Sequence, residues 1–467
     1  MLNRFTVENF LSFRDRVELS MIAGKSTRLP SHVQLPSSSN DFRRLKSAVI
    51  YGANASGKTN LVRGLEFVKK LVLVGTKPER RIPIQKFKLG TETKDTSRFE
   101  TEFFLDGKNY AYGFVIDEKI VHEEWLYQVG RRSEQQVFSR KYQDGRLKFT
   151  HPGIKLSDEK ETAMFETLAE FCAENQLFST EYKNARRRIH SHISRDILKP
   201  LEDLIEWFSE KLTIIFPDSI NIDNATSNIL DLEKYDESVS KIINCFDTGI
   251  IGIEPKKVSR SLISQSVPDD VLSKIEADIE DNVAVVIVTP RHGDRITVAR
   301  KDGEIQFFKI SAEHENPGVG TTLLDFADES DGTKRLFDLV PAYIKLISEK
   351  DSVLIIDEID RSLHTQIAST LLQSFNETTA QSGGQLIVTT HETNLLDQKV
   401  IRKDEIWFVN KRKGVSSVYS LEEYLPRYDK DIRSAYLKGR FGAVPIIYDN
   451  PSEICKKVAL RDATRAS

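Results

Sequence analysis

The sequence predicts an α/β protein in three parts: a β-rich N-terminal lobe (1–150), a large, mainly helical insertion carrying a β-hairpin (151–320), and a C-terminal α/β lobe (321–467). Three observations carry that reading. A glycine-rich loop, Gly52 to Thr59, lies between a short strand and a segment with helical spacing. The apolar run Val353–Ile356 ends in two carboxylates, Asp357 and Glu358. Alternating patterns dominate the chain before residue 130, and helical spacing sets in from 157.

Taken in order, Phe5, Val7 and Phe10, then Val17, Leu19 and Met21, predict two strands joined by a turn near Arg14–Asp15. Residues 31–42 are rich in Ser, Pro and Asn and read as a loop. Ala48–Tyr51 is a strand running into the glycine-rich turn, and Leu61, Leu65, Val68 and Val72 place a helix over 60–74. Residues 98–129 alternate, with turns at Asp106–Gly107 and Asp117–Glu118, which predicts an antiparallel meander. Ser157 is a candidate N-cap, and Leu198, Leu201, Leu204, Ile205, Phe208 and Leu212 form an amphipathic stripe. Residues 221–280 are ambiguous and mostly polar-helical, whereas 283–310 suggest a hairpin around Arg291–Asp294 and a second turn at Asp302–Gly303. From 321 to 410 strand and helix patterns alternate.

The loop Gly52-Ala53-Asn54-Ala55-Ser56-Gly57-Lys58-Thr59 fits G-x-x-x-x-G-K-[ST]. Gly52 and Gly57 let the backbone fold so that N–H groups point at phosphate oxygens, and the helix N-terminus adds favourable charge for an anion. Lys58 can reach the β and γ phosphates of a nucleotide, and the Thr59 hydroxyl can ligate Mg²⁺. Asp357 and Glu358 sit where an α/β sheet opens its ligand crevice; Asp357 suits a metal, and Glu358 suits a general base acting on water. The run Gln385–Thr390 repeats the design and ends at His391, whose imidazole suits a hydrogen bond to a γ-phosphate. Each feature alone has a plainer reading, such as a surface turn or a structural histidine; together they point to nucleotide chemistry.

Composition narrows the class. The chain has 467 residues, 29% charged and 39% hydrophobic, with a net charge of −3. That excludes a disordered chain and disfavours a generally basic nucleic-acid coat. Cys172, Cys245 and Cys455 are far apart and few, as expected of a cytoplasmic protein without disulfides or a zinc site. The longest apolar runs fall far short of a membrane span, and no secretory leader is expected.

At these residues the chain resembles the SMC, RecF and OLD group of ABC-type ATPases. Asn54 in the loop, Asn60 after it and the opening Val7-Glu8-Asn9-Phe10-Leu11-Ser12-Phe13 carry the likeness. So does the separation of about three hundred residues between Lys58 and Asp357. Glu329-Ser330-Asp331-Gly332-Thr333-Lys334-Arg335 is similar to the family's signature motif, with Asp331 where glycine is usual and Thr333 where glutamine is usual. The helix it opens contains Pro341, which should kink it.

The resemblance implies an ABC-type head that binds ATP and Mg²⁺ through Gly52, Asn54, Ala55, Ser56, Gly57, Lys58, Thr59 and Asn60. It adds Ser330 and Gly332 from a neighbouring copy, Asp360 as the coupling loop, Thr59 and Asp357 as metal ligands, and Glu358 and His391 as catalytic groups. It thus implies a homo-oligomer with ATP between subunits, the insertion supplying oligomer or partner contacts. More narrowly, the chain resembles the stand-alone bacterial OLD-like ATPases of two-gene anti-phage systems, through Glu123-Glu124-Trp125-Leu126-Tyr127 and the tail Tyr436–Pro445. Such ATPases hold a separate toxic effector, a TOPRIM nuclease in one system, and release it on a phage-encoded trigger. A RecF-like clamp on duplex DNA and a scaffold with purely structural nucleotide are the alternatives. The cluster Lys183, Arg186, Arg187, Arg188 and Arg195 suits either an anionic partner or a solvated helix face, and His190 and His192 are spaced wrongly for one metal.

Overall fold

In the computed structural model the described residues are 1–90, 94–143, 146–217, 232–279, 281, 283–288, 295–379, 383–397, 399–424, 431–445, 452 and 455. The α/β class holds, and two sheets enclose one helix. The first is a seven-stranded antiparallel sheet in the spatial order Arg146–Thr150, Glu134–Gln143, Val121–Val129, Lys108–Ile116, Ser97–Leu105, Leu2–Glu8, Val17–Ser20. The predicted meander is there and continues for two further strands. Asp106–Gly107 and Asp302–Gly303 both have positive φ at both turn residues, the geometry that two-residue hairpins demand and Asp-Gly supplies.

The second sheet has six strands in the order Leu212–Ile215, Val353–Ile356, Gln385–Thr390, Ser47–Tyr51, Ile406–Arg412, Val415–Ser420. All neighbours are parallel except the last pair. Its central strands are buried on both faces, which explains their unbroken apolar runs. Helix Lys58–Leu73 buries Leu61, Leu65, Val68 and Val72, as its spacing predicts. Gly64 brings this helix close to Leu2–Glu8, since a Cβ there would lie 3.2 Å from the Phe5 ring. Phe10, Phe67 and Phe99 pack as an aromatic cluster in the same core.

The structure corrects several expectations. The boundary at 150 cuts through one core: Phe165, Phe178, Leu201 and Trp207 are buried together with Phe103, Tyr110 and Phe138. Leu212–Ile215, inside the supposed insertion, is an edge strand of the six-stranded sheet. The stripe from Leu198 therefore ends early, as helix Lys199–Glu206 runs through a π turn at Trp207–Lys211 into that strand. The N-cap of helix Glu159–Glu170 is Asp158, which accepts from the Glu161 amide, and Ser157 instead donates its own amide to the Glu161 carboxylate. The rest of the insertion is less helical than expected. It is a five-stranded antiparallel sheet built from Ile250–Val258, Val283–Val288, Arg295–Lys301, Glu304–Asn316 and Gly320–Asp325, with short helices. The expected hairpin forms between Val283–Val288 and Arg295–Lys301; its turn at 291–294 lies outside the described residues, as do 218–231. Helix Asp331–Ser348 continues through Pro341.

One buried polar network ties the loop before the phosphate strand to Leu2–Glu8, Ser97–Leu105 and Lys108–Ile116 of the seven-stranded sheet. Arg44, fully buried, pairs with Asp41, donates through Nε to Asn3 Oδ1 at 2.8 Å, and lies 3.8 Å over the Phe104 ring. Burial pushes the Asp41 carboxyl up, but hydrogen bonds from Arg44, Asn109 and the Ser37 amide outweigh it and hold Asp41 well below the usual carboxylate range. A carboxylate with a lowered folded pKa contributes stability above its unfolded value, and that contribution disappears as pH falls through the folded value. Asp41→Asn is accordingly expected to lower the unfolding free energy by about 3 kcal/mol at neutral pH, because it strands a buried guanidinium. Urea unfolding should show the gap between the two chains shrinking below about pH 4, where the unfolded carboxyl protonates.

Candidate nucleotide-binding site

The parallel strands place their carboxyl ends along one edge, the position at which open α/β sheets bind ligands. Ser47–Tyr51 delivers the glycine-rich loop there, Val353–Ile356 delivers Asp357 and Glu358, Gln385–Thr390 delivers His391, and Leu212–Ile215 delivers Phe216 and Pro217. Thr59, Asp357 and Glu358 meet in one cavity of about 410 Å³, walled also by Arg63, Phe216, Pro217 and Arg361.

Gly52 permits a close approach in the loop: a Cβ there would lie 2.5 Å from the Val409 carbonyl oxygen. Gly57 has φ +113°, outside the range of an L side chain, and caps the helix whose first residue is Lys58. Ala55 also takes a positive φ of 61°, so the loop turns sharply at the middle of the motif. Lys58 is buried, and its ammonium donates to the Gly52 carbonyl at 2.7 Å and to Ala53 at 3.3 Å. Burial draws its pKa down, while the nearby carboxylates Asp357, Glu358 and Asp360 draw it up. Those three acids and one lysine thus share a single electrostatic neighbourhood.

Asp357 is fully buried. Its Oδ1 accepts from the Thr389 hydroxyl at 2.6 Å, while Oδ2 is buried without a hydrogen-bond partner. A buried, unpartnered carboxylate oxygen on a residue that walls the cavity together with Thr59 fits a Mg²⁺ ligand, because an unmatched oxygen is costly unless a cation completes it. Thr389 also accepts the Glu358 amide at 2.9 Å, and Glu358 itself has φ 51°. One threonine therefore sets the direction of both acids. Arg335 ties the signature-like helix to this strand, donating to the carbonyls of Phe216 (3.0 Å) and Asp357 (3.3 Å).

The other sequence-derived candidates fall nearby but separate from the cavity. Ser330 caps helix Asp331–Ser348, its hydroxyl accepting from the Thr333 amide at 3.1 Å. Gly332 lies against the turn after Asp360, since a Cβ there would meet the Ser362 carbonyl at 2.8 Å. His391 is exposed and its Nε2 lies 3.2 Å from Asp360 Oδ2. Asn60 faces away from the loop's interior: its amide donates to the Ser12 hydroxyl at 2.8 Å. Arg187 and Arg188 are exposed on helix Phe178–Ile189, whereas His190 pairs with Glu202 at 3.0 Å. No group of three or more His, Cys, Asp or Glu residues able to hold a metal occurs among the described residues. No described helix is long and apolar enough to cross a membrane.

Sequence reasoning gave no role to Thr389, Arg335, Ser12 or Ser416, although Ser12 and Arg335 stand within the motifs it quoted. The register that pairs Ile356 with Val388 sets Thr389 beside Asp357, and that register is visible only in the folded sheet.

The sequence matches the family described as "AAA domain, putative AbiEii toxin, Type IV TA system" over residues 47–163 and 249–397, more than half of the chain. No curated protein sequence matches it. Among solved structures it overlaps an SMC head bound to the C-winged helix domain of ScpA, at 16% identity over 91% of this chain and 99% of that one, with a TM-score of 0.42. It also overlaps the SMC head domain from Thermotoga maritima (14%, 90% and 98%, TM-score 0.38). A third is the Smc head with an extended coiled coil bound to the C-terminal domain of ScpA, derived from Pyrococcus furiosus (16%, 91% and 97%, TM-score 0.40). The fold class rests on the strand order above.

Proposed function

The chain belongs to the AAA family whose description names a putative AbiEii toxin and type IV toxin–antitoxin systems, and on that premise we propose that it is an ABC-type ATPase. It binds and hydrolyses ATP between two copies of itself and regulates a separate toxic effector in a bacterial anti-phage system. The supporting observation is the convergence of Lys58, Thr59, Asp357 and Glu358 on one sheet edge, where the last three line one cavity and Lys58 shares the electrostatic neighbourhood of the two acids.

In this reading the amides of the loop from Gly52 to Gly57, through Asn54, Ala55 and Ser56, hold the phosphates, and Lys58 leaves its intraloop carbonyls for them. Thr59 and Asp357 hold Mg²⁺, which when bound neutralises phosphate charge. Glu358 takes a proton from the attacking water as the water oxygen bonds to the γ-phosphorus; the bond to the bridging oxygen breaks, leaving ADP and phosphate. Asp360 orients His391 toward the γ-phosphate. Ser330 and Gly332 open a helix whose N-terminus receives the γ-phosphate of the neighbouring copy.

The effector reading rests on the sequence likeness to OLD-like ATPases such as AriA, the ATPase subunit of the PARIS system, which has a TOPRIM nuclease partner. A phage-encoded product is the proposed trigger and the cytoplasm the proposed site of action. Purified chain with Mg²⁺ and ATP is expected to release phosphate, and the tagged chain expressed from its own locus is expected to retain the product of the adjoining gene. The exposed arginines 186–188 favour one second reading, a RecF-like clamp on DNA. That reading gains if duplex DNA binds with a steep salt dependence and tightens with ATP.

A further inference from the structure

We propose that Ser416 is a positioning residue for the phosphate loop: by holding the Ser56 carbonyl, its hydroxyl turns the Gly57 amide toward the nucleotide. The inference rests on the nucleotide-binding reading above.

Ser416 lies on the edge strand Val415–Ser420, 360 residues from Ser56, and its Oγ is 2.6 Å from the Ser56 carbonyl oxygen. It is also 2.8 Å from Ser12 Oγ, which in turn accepts from the Asn60 amide at 2.8 Å. Ser416 and Ser12 are both buried, and the Ser416 amide donates to the Ser12 carbonyl at 2.8 Å.

A carbonyl only accepts, so Ser416 is the donor to Ser56. The same hydroxyl is shared with Ser12 Oγ, which also accepts from the Asn60 amide, so the Ser12 oxygen holds the Ser416 side chain beside the loop.

Peptide planarity supplies the consequence. In a trans peptide the carbonyl of one residue and the N–H of the next point in opposite directions. A Ser56 carbonyl fixed outward, onto Ser416, forces the Gly57 N–H to the opposite side, where the loop receives anions. Gly57 also has no Cβ because these hydroxyls are packed against it: a Cβ would lie 2.6 Å from Ser416 Oγ and 2.8 Å from Ser12 Oγ. Without Ser416 the Ser56–Gly57 peptide is free to rotate, and its ordering must be supplied by the nucleotide at binding.

The test is titration of the full chain with Mg²⁺ and a fluorescent ATP analogue, alongside turnover at saturating ATP and thermal unfolding of the nucleotide-free chain. Ser416→Ala is expected to weaken nucleotide binding about tenfold, the scale of one oriented donor to a charged group. Saturated turnover should stay within about twofold, and Ser416→Thr, which keeps the hydroxyl, should restore most of the affinity. A lowered unfolding midpoint with unchanged affinity would show a purely structural role and overturn the inference. Should Ser416→Ala fail to fold, Ser416→Cys keeps the shape with a weaker donor and should weaken binding about threefold; unchanged affinity there overturns the inference equally. Absence of binding by the natural chain overturns the nucleotide premise, and the inference with it. Binding by the natural chain with no change in the variants overturns the inference alone.

Discussion

Glu358→Gln is expected to cut ATP turnover by at least about a hundredfold while the chain stays loaded with nucleotide, since general-base assistance is worth roughly 10²–10⁴. The argument is local. Glu358 lines the cavity beside Thr59 and Asp357, and its backbone, at φ 51°, is pinned through its amide to Thr389. Glutamine keeps the length of the side chain and the pinned backbone but cannot accept the water proton. Binding contacts from the glycine-rich loop and Lys58 are untouched, so the loss falls on the chemical step alone. Phosphate release and retained nucleotide after gel filtration, measured on the same sample, separate the two effects. Turnover within about threefold of the natural chain would remove Glu358 from the role of base.

The second large effect concerns the metal. Asp357→Asn should abolish the Mg²⁺ dependence of nucleotide affinity and lower turnover by about two orders of magnitude. Asp357 Oδ1 is committed to the Thr389 hydroxyl, so its unpartnered Oδ2 is the atom left for a cation. Asparagine fits the same space and can keep the Thr389 contact, but it loses the charge. Affinity measured with Mg²⁺ and with a chelator should differ strongly for the natural chain and hardly at all for the variant. An intact Mg²⁺ response in the variant would place the metal elsewhere.

Both effects concern residues whose position at a sheet edge was legible in the sequence, and the reason is physical. The glycine-rich loop and the acidic pair are short contiguous segments whose flanking periodicity declares a strand or helix, so their place at a sheet edge follows from local pattern. The meander was legible for the same reason. What escaped is what depends on contacts distant in sequence. Leu212–Ile215 is four residues long and follows a helical stripe directly, so periodicity alone extends the helix; only its pairing with Val353–Ile356 makes it a strand. Asn60 matched a family pattern just after the loop, yet its amide is spent on Ser12. Ser416 belongs to a strand 404 residues from Ser12, and no local pattern connects them. The five-stranded unit within 250–325 was obscured because its strands alternate with polar helices and turns in short lengths.

The claim on which the functional account turns is that each nucleotide is held by two copies of the chain. Mixing two inactive variants tests it most directly. Lys58→Ala removes the phosphate contact of a chain's own loop, and Ser330→Arg blocks the helix it offers its neighbour. Alone, each should be inactive. Unfolded and refolded together, they should recover roughly a quarter of natural ATP turnover, because half of random pairs are mixed and each mixed pair has one site with both natural halves. A mixture that co-assembles yet remains as inactive as its components would contradict a shared site.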